Sequence, residues 1–518
     1  MPPAPASTEA PAFEAAPLAL WEPPHPVTQA LLDGQLPWPE LVSRPVARSP
    51  ELAEALAAAN RRWGNEVGPQ LEAWLAGARA VVTGQQPGLF GGPLLSLVKG
   101  CAVAAEVAKL RAAGEPAVGF FWLETRDDDL PEMGWARVVV GGKLLEAREP
   151  WQRGESCAWA ATLSQASWAL CDSLEREPLA EHAGAAFQFL RETFAPGAKL
   201  GEACARLFAK LFQPLGIVIV DASLPAVAQA CARAASALLR HLPEAWERLK
   251  AREAELAVLG LSAPLRLSPH RLPLFRLEDG RRQPVGAGRL AGVLEGLAQA
   301  PNLFTPNVWL RPILQDAALG TELAILGSAE LAYHWQAQDL WEMAQVPRPR
   351  WQLRPHVTLV TGGERRLAEK LGLEPKDTLR RTLPRRLLPP GDLERELATL
   401  AHQAEAGLGR LAAKATGQLP ALLGDLEATR ERVKASFRWL GERLARRREE
   451  LAEVERARFA RLVTALRPLG KPQERALSVG SPLLQLGLEL PVLLAQALAA
   501  LPHEPAMFLL YWRRGGLW

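Results

Sequence analysis

The chain has 518 residues, of which 48% are hydrophobic and 23% are charged, and its formal net charge is +3. This length exceeds what one hydrophobic core supports and predicts two or three domains, while the composition excludes an intrinsically disordered or membrane-embedded protein. Because basic residues are interspersed with acidic ones, no global positive field favours nucleic acid, and we predict no nucleic-acid partner.

The cysteines predict neither a disulfide framework nor a zinc site. There are five, scattered along the chain without a CxxC pair, and an odd number without that spacing favours free thiols in a reducing compartment. The start of the chain lacks the basic and apolar regions of a signal peptide, and the longest apolar stretch, residues 482–501, is interrupted by polar residues. We therefore predict a cytoplasmic protein with no membrane partner and no bound metal or organic cofactor.

Residues 1–78 are predicted to form a helical N-terminal lead-in. Ser49 and Pro50 are typical of a helix start, with the serine as N-cap and the proline at the first helical position. A second helical segment, residues 67–75, leads to the first predicted strand.

Residues 80–100 contain a glycine-rich loop between a short apolar run and a helical pattern. Residues 80–82 favour a buried strand, and the apolar spacing from Leu94 onward favours a helix that carries Lys99. Such a strand–loop–helix presents free backbone N–H groups and a helix dipole, which suit an anion. The loop matches neither the Walker A nor the dinucleotide-binding pattern. A tight structural turn is the alternative interpretation.

A second apolar run, residues 117–123, is followed by an acidic loop, residues 124–129. The run predicts a parallel strand and hence a βαβ unit. Because ligands of open α/β sheets bind outside the carboxyl ends of strands, we expect the acidic loop to face the glycine-rich loop. A solvated acidic turn is the alternative.

Polar residues interrupt the apolar runs between residues 305 and 340. Arg311 could bind a carboxylate or phosphate through two parallel hydrogen bonds. An ion pair between Arg311 and Asp316 would explain both side chains without a ligand. His334 in this stretch, and His356 beyond it, are candidates for a general base, although a lone histidine is more often structural.

The remaining domain organisation follows from composition and spacing. We predict a Rossmann-like parallel-sheet core over residues 79–385 with a helical insertion at about 150–214. The pattern of residues 386–467 indicates long charged helices whose apolar residues have heptad spacing. This predicts a protruding antiparallel coiled-coil arm. Residues 468–518 are apolar enough to pack back on the core. The predicted fold class is α/β.

Several stretches, in order, resemble one known family. The segment TGQQPGLFGGPLLSLVK is similar to the signature of the bacillithiol-biosynthesis cysteine-adding enzymes, the BshC family. The stretches RSPELAEALAAANRRWG, FFWLETRDDDLPEM, GIVIVDASLP, LFRLEDGRR, NVWLRPILQD, ELAYHWQ and GKPQER agree with the same family. The resemblance runs from about residue 45 to the end.

The resemblance implies a core related in layout to class I aminoacyl-tRNA synthetases and a homodimer formed through the coiled-coil arm. It also implies a ligase that joins cysteine to glucosaminyl-malate through an amide to give bacillithiol, with ATP and Mg²⁺ as the expected energy source. The predicted catalytic residues are Asp127, Asp129 and Lys99. The predicted substrate-binding residues are Gln85, Gln86, Gly88, Gly91, Pro93, Asn307, Arg311, Gln315, Asp316 and Tyr333.

The acidic loop departs from the family pattern. Family members usually carry Glu-Asp-His-Asp where this chain has residues 126–129, so that Asp128 replaces a histidine that would suit general acid–base chemistry. The family's Gly-Gly-Pro-x-Glu motif is also reduced, to residues 327–330. Two alternatives therefore stay open: another nucleotide-dependent ligase or nucleotidyl-transfer enzyme with a changed substrate, or a non-catalytic interaction protein that acts through its coiled coil.

Overall fold

A computed structural model of the chain describes residues 13–17, 23–41, 46–177, 179, 183–379, 392–502, 506–513 and 516–517. The predicted boundary between core and arm at 385–386 lies outside the described residues, as do residues 1–12, on which the signal-peptide prediction rests. The chain divides into two compact units, one formed by residues 1–363 with 464–518 and the other by residues 364–463.

The strands, in chain order, are β1 (Phe13–Pro17), β2 (Arg79–Gln85), β3 (Ala117–Leu123), β4 (Trp135–Val140), β5 (Lys143–Arg148), β6 (Ile217–Asp221), β7 (Arg271–Glu278), β8 (Arg281–Gly286), β9 (Phe304–Pro306), β10 (Thr321–Leu326), β11 (Arg350–Leu353), β12 (His356–Thr361), β13 (Ala506–Arg513) and β14 (Gly516–Leu517).

The helices are α1 (Pro26–Leu32), α2 (Pro50–Arg62), α3 (Gly68–Leu75), α4 (Leu95–Ala112), α5 (Leu130–Met133), α6 (Ala166–Glu175), α7 (Gly184–Thr193), α8 (Leu200–Phe212), α9 (Pro225–Arg240), α10 (Leu242–Val258), α11 (Leu290–Gln299), α12 (Leu310–Leu319), α13 (Ser328–Gln336), α14 (Leu340–Met343), α15 (Gly362–Lys370), α16 (Asp392–Gln418), α17 (Leu423–Leu466), α18 (Gln473–Ala476), α19 (Gly480–Leu486) and α20 (Leu490–Ala500). Ser49 caps α2 by accepting from the Leu52 N–H, as predicted.

The central sheet is parallel, with strand order β11–β10–β2–β3–β6. Alternate residues of its strands face two different hydrophobic cores. On β3, Phe121 belongs to one core, and Phe120 and Trp122 belong to the other. Because both faces are covered, β3 and the first four residues of β6 form continuous apolar runs in the sequence. The predicted Rossmann-like α/β fold class is confirmed.

The C-terminal segment is part of the same unit as this sheet. α20 packs against α4, and Pro93 in the glycine-rich loop forms an isolated antiparallel bridge with Ser478. In a second sheet, β13 pairs parallel with β12 and antiparallel with β1. The predicted helical lead-in at residues 1–78 therefore also contains a strand.

The second unit is built mainly from α16 and α17, which are joined by a short turn at Pro420–Leu422. Arg430 and Lys434 on α17 both pair with Glu405 on α16, and Gly441 lies beside Leu397. Between these contacts the residue number rises along α17 while it falls along α16, so the two helices run antiparallel. The predicted coiled coil is confirmed.

In the described part of the chain, no single helix combines the length and apolar character needed to cross a bilayer. Only α19 and α20 taken together reach that length and composition, and they are bent by 99°.

Candidate functional site

A cavity of about 710 Å³ lies at the carboxyl ends of the parallel strands. The glycine-rich loop after β2, the acidic loop after β3, the start of α13 after β10 and Arg354 after β11 all line it. This is the edge at which open α/β sheets bind ligands, because loops from adjacent strands converge there. The placement makes this cavity the candidate site.

The glycine-rich loop is a tight turn in which the backbone amides of three glycines are bonded within the protein. The Gly88 N–H donates to the Cys204 sulfur at 3.2 Å, and the N–H groups of Gly91 and Gly92 bond to carbonyls of the same turn. Gly91 has a φ of +88°, and a Cβ there would lie 2.7 Å from a methyl carbon of Leu207. These three glycine amides are therefore not free for an anion, and the predicted cradle of N–H groups does not include them.

Lys99 joins the end of β2 to the start of α13. Its ammonium lies 2.6 Å from a carboxylate oxygen of Glu330 and donates to the Gly84 carbonyl at 2.7 Å and to Oε1 of Gln85 at 3.2 Å. These acceptors match the three N–H groups of a lysine. Lys99 lines the cavity as a fixed positive charge rather than as a free donor.

Glu330 is ionised by its surroundings although it is partly buried. Burial raises the pKa of a carboxyl group, but the Lys99 ammonium and the Gly327 N–H, which donates at 2.6 Å, outweigh this and hold the pKa of Glu330 at about 2. Burial also lowers the pKa of Lys99, and the Glu330 carboxylate opposes that change. The 2.6 Å contact between the two side chains has the geometry of an ion pair.

Arg311, at the start of α12, is a cation that faces the cavity. Most of the N–H groups of its guanidinium remain available to a ligand. Its Nη2 donates to the Tyr333 hydroxyl at 2.9 Å. Burial lowers the pKa of Arg311, but the neighbouring Tyr333 and Glu124 raise it above its ordinary range, so the group is permanently charged. Burial raises the pKa of Tyr333 to about 12, which keeps its hydroxyl neutral.

The predicted ion pair between Arg311 and Asp316 is wrong. Asp316 lies on the other side of α12, where its carboxylate accepts from the indole N–H of Trp341 at 2.8 Å. Burial raises the pKa of Asp316 to about 7. Positions 311 and 316 are five residues apart, and that spacing does not bring two side chains onto one helix face.

The acidic loop begins with a buried ion pair. Glu124 contacts Arg126 at 2.9 Å and accepts from the Trp122 indole at 3.0 Å. Burial raises the pKa of Glu124, but the Arg126 guanidinium and the Arg311 charge outweigh it and hold the pKa at about 2. Both members of the pair line the cavity.

The middle of the acidic loop faces the glycine-rich loop, as predicted. The Gln86 amide donates to Asp127 at 2.8 Å. Arg282 on β8 lies 3.7 Å from Asp127 and 3.2 Å from Asp128, and also donates to the Pro306 carbonyl. Asp128 therefore pairs with an arginine, and of the three aspartates at 127–129 it is Asp127 that lines the cavity.

The cavity brings together most of the predicted site residues but not all of them. Those that line it are Gln85, Gln86, Gly88, Pro93, Lys99, Asp127, Asn307, Arg311 and Tyr333. Those that do not are Gly91, Asp129, Gln315 and Asp316. Asp129 pairs instead with Arg153, which is largely exposed. The functional roles of all these residues stay predictions.

The two candidate histidines lie outside the cavity. His334 is buried among tryptophan rings, and burial lowers its pKa to about 4. His356 bonds to Glu474 at 2.9 Å, and burial lowers its pKa as well. Burial keeps the His334 imidazole neutral at neutral pH, and neither histidine lines the cavity.

Among the described residues, ten charged side chains line the cavity, and sequence reasoning did not select seven of them, all except Lys99, Arg311 and Asp127. The cations are Lys99, Arg126, Arg282, Arg311, Arg354 and Arg475, and the acids are Glu124, Asp127, Glu132 and Glu330. Arg282 and Arg475 lie in the stretches LFRLEDGRR and GKPQER, whose agreement with the family was the available signal. The excess of cations suits an anionic ligand. Within the described residues, no cluster of three or more His, Cys, Asp or Glu side chains is arranged to hold a metal ion.

Two family models cover nearly the whole chain. Residues 38–355 match the model described as bacillithiol biosynthesis BshC, N-terminal Rossmann-like domain. Residues 357–504 match the model described as bacillithiol biosynthesis BshC, C-terminal coiled-coil domain.

Similar proteins come from several bacteria. A protein of Solibacter usitatus named "Putative cysteine ligase BshC" is 31% identical over 86% of this chain and 87% of its own length. A protein of Koribacter versatilis with the same name is 29% identical over 88% of each chain. Among solved structures, methionyl-tRNA synthetase of Mycobacterium tuberculosis covers 81% of this chain and 92% of its own at 12% identity, with a TM-score of 0.25, a likeness too low to bear on ligands.

Proposed function

We propose that this chain, which belongs to the bacillithiol biosynthesis BshC family, is the ligase that joins the carboxyl group of cysteine to the amine of glucosaminyl-malate. A carbon–nitrogen bond forms, the bond from the cysteine carboxyl carbon to an activating group breaks, and the amine loses a proton. ATP is the proposed source of the activating group, and the cations of the cavity are compatible with its phosphates.

The observation that carries the proposal is the charge pattern of the cavity. Cations that keep donors for a ligand, above all Arg311, suit the two carboxylates of a malyl group. Asp127, in the acidic loop after β3, suits an ammonium or the amine derived from it. A substrate with carboxylates at one end and an amine at the other matches this arrangement.

The residues take distinct roles in the proposed reaction. Arg311 binds a carboxylate, because its charge is permanent and its guanidinium faces the cavity. Asp127 orients the attacking amine and accepts its proton. Lys99 acts through its fixed charge, because its N–H groups are bonded to protein acceptors. Burial of the Lys99 side chain, which is 3% exposed, strengthens its electrostatic interactions.

The direct test incubates the purified full-length protein with cysteine, glucosaminyl-malate and ATP–Mg²⁺, and follows bacillithiol by mass spectrometry. We expect product only when all three substrates are present. The variant Arg311→Met should lose the activity, while Asp129→Asn, a charge change outside the cavity, should retain it. Absence of product from the wild type, together with unchanged bacillithiol in a strain deleted for the gene, would rule the proposal out.

A second candidate is a ligase of the same kind with a different amino acid substrate. It is favoured by Asp128, which is paired with Arg282 where the family usually has histidine. Incubation with ATP, glucosaminyl-malate and each amino acid in turn separates the two candidates, because only the first consumes cysteine.

A further inference from the structure

Residues 473 and 474 close the free edge of β12 with their side chains. The Gln473 amide accepts from the Leu359 N–H at 2.9 Å and donates to the Leu359 carbonyl at 3.1 Å. Glu474 accepts from the Val357 N–H at 3.1 Å. Together they bond the backbone of β12 as a neighbouring strand would, which fastens α18 beside it.

Glu474 also holds Arg354 through two hydrogen bonds. Nη1 and Nη2 of Arg354 donate to the two carboxylate oxygens at 2.9 and 2.7 Å, and both side chains are almost completely buried. His356 adds a third contact at 2.9 Å. Burial raises the pKa of Glu474, but Arg354 and His356 outweigh it and hold the pKa below its ordinary range. The carboxylate is therefore a fixed anchor for the guanidinium.

Arg354 is anchored on one side and faces the cavity on the other. Glu474 and the Pro355 carbonyl take three of the five N–H groups of its guanidinium. Its Nε lies beside Gly327, where an added Cβ would be 3.9 Å away, at the start of α13. Arg354 lines the cavity, and so does Arg475, which follows Glu474 in α18.

We propose that Glu474 is a positioning residue, which aims Arg354 at a carboxylate of the substrate. The two remaining N–H groups of Arg354, on Nε and Nη2, bind that carboxylate beside the start of α13. Without Glu474 the guanidinium keeps only the Pro355 carbonyl as a partner, and the long side chain turns away from the ligand. This inference rests on the proposed function and extends it by assigning the malyl end of glucosaminyl-malate to the side of the cavity formed by Arg311, Arg354 and Arg475.

The test measures substrate affinity in the variant Glu474→Gln, which keeps the size of the side chain and removes its charge. In the full-length protein we expect the KM for glucosaminyl-malate and the Kd for L-malate, measured by calorimetry, to rise at least tenfold. The KM for cysteine should change less than twofold and kcat less than threefold, because the reacting groups are untouched.

The matched control is Gln473→Met. Gln473 fastens the same segment to β12 but does not contact Arg354. This variant should lower the thermal midpoint and leave the KM for glucosaminyl-malate within twofold. If Glu474→Gln behaves in the same way, Glu474 only docks the segment and the positioning role is overturned.

The double variant Arg354→Met/Glu474→Gln covers the case in which the single variant does not fold. It leaves no unpaired buried charge at this pair, so it should be more stable than the single variant. Its Kd for L-malate should be raised by the same factor as in Arg354→Met alone, because Glu474 acts only through Arg354. Wild-type affinity for L-malate in the double variant would overturn the inference.

The outcomes also separate this inference from the proposed function. If the wild type forms bacillithiol but Glu474→Gln leaves both the KM and the Kd unchanged, the positioning role fails and the function stands. If the wild type forms no bacillithiol but binds L-malate in a way that depends on Glu474, the function fails and the positioning role stands.

Discussion

The two sides of the cavity carry their charges in different ways. On one side, the Lys99 side chain is 3% exposed and Glu474 holds Arg354 in a buried pair, so the charges are bonded to fixed partners. At the acidic loop, the side chains of Asp127, which lines the cavity, and of its neighbour Asp128, which does not, are 20% and 26% exposed and share one arginine, Arg282. The first side is a rigid anion receptor, and the second is a wetter carboxylate cluster.

This difference indicates a division of labour. Buried charges with fixed partners keep their ionisation and geometry, which suits the binding of a substrate that does not react at that end. A more exposed carboxylate suits the end of the substrate at which a proton must leave, because water can reach it. Four substitutions test this division, beginning with the largest expected effect.

Lys99→Met should have the largest effect, because it leaves the Glu330 carboxylate without its cation. Removing one member of a buried pair costs about 3–5 kcal/mol, and we expect the lower end because Glu330 is 22% exposed. Urea unfolding measures the loss of stability, and bacillithiol formation should fall by about a hundredfold or more. Lys99→Met/Glu330→Gln should recover the stability but not the rate; recovery of both would show that the charge of Lys99 has no part in the reaction.

Asp127→Asn should reduce kcat/KM by about a hundredfold, the lower range for loss of a general base. The free energy of unfolding should change by less than about 1 kcal/mol, because the side chain is partly exposed. The control is Asp129→Asn, which removes the same charge two residues away and outside the cavity and should keep the rate within threefold. Equal losses in the two variants would contradict a specific role for Asp127.

Asp316→Asn tests whether burial keeps the Asp316 carboxyl group protonated. Asp316 lies on α12, the helix that carries Arg311. Burial raises the pKa of Asp316 to about 7, above the value of about 3.9 in an unfolded chain. Between these values the folded protein retains a proton that the unfolded chain has lost, so stability falls as pH rises, by roughly 1.4 kcal/mol per pH unit. The stability of the wild type relative to the variant should therefore fall by about 2 kcal/mol from pH 5 to pH 7. Parallel stability curves would contradict the raised pKa.

Asp128→Asn should have the smallest effect. Its pair with Arg282 is partly exposed, and such pairs contribute less than about 1 kcal/mol. We expect kcat/KM to stay within threefold, as measured by the same product assay. A hundredfold loss would instead identify Asp128 as the group that replaces the family's histidine.

The features that could be predicted from sequence depend on neighbours close in the chain. The strand–loop–helix at residues 80–100 and the acidic loop after β3 follow from local apolar patterns, and the parallel βαβ rule brings the two loops together. The contact between Gln86 and Asp127 is the result.

The features that escaped prediction depend on partners far along the chain. Gly91 looked like part of a ligand loop, but its small size is required by Leu207 and Val479. Arg354 is held by a residue 120 positions away. Local periodicity carries no information about such pairs, because many arrangements of the same helices and strands satisfy it.

The sheet that contains β12 has a consequence for synthesis of the chain. β1 is among the first described residues, and its partner β13 is among the last, so a growing chain cannot pair them until residues 506–513 have left the ribosome. Until then β1 is an unpaired strand, a segment open to wrong pairing with other chains. We expect protein truncated before residue 506 to aggregate during expression, even though the parallel sheet and every cavity-lining residue are present.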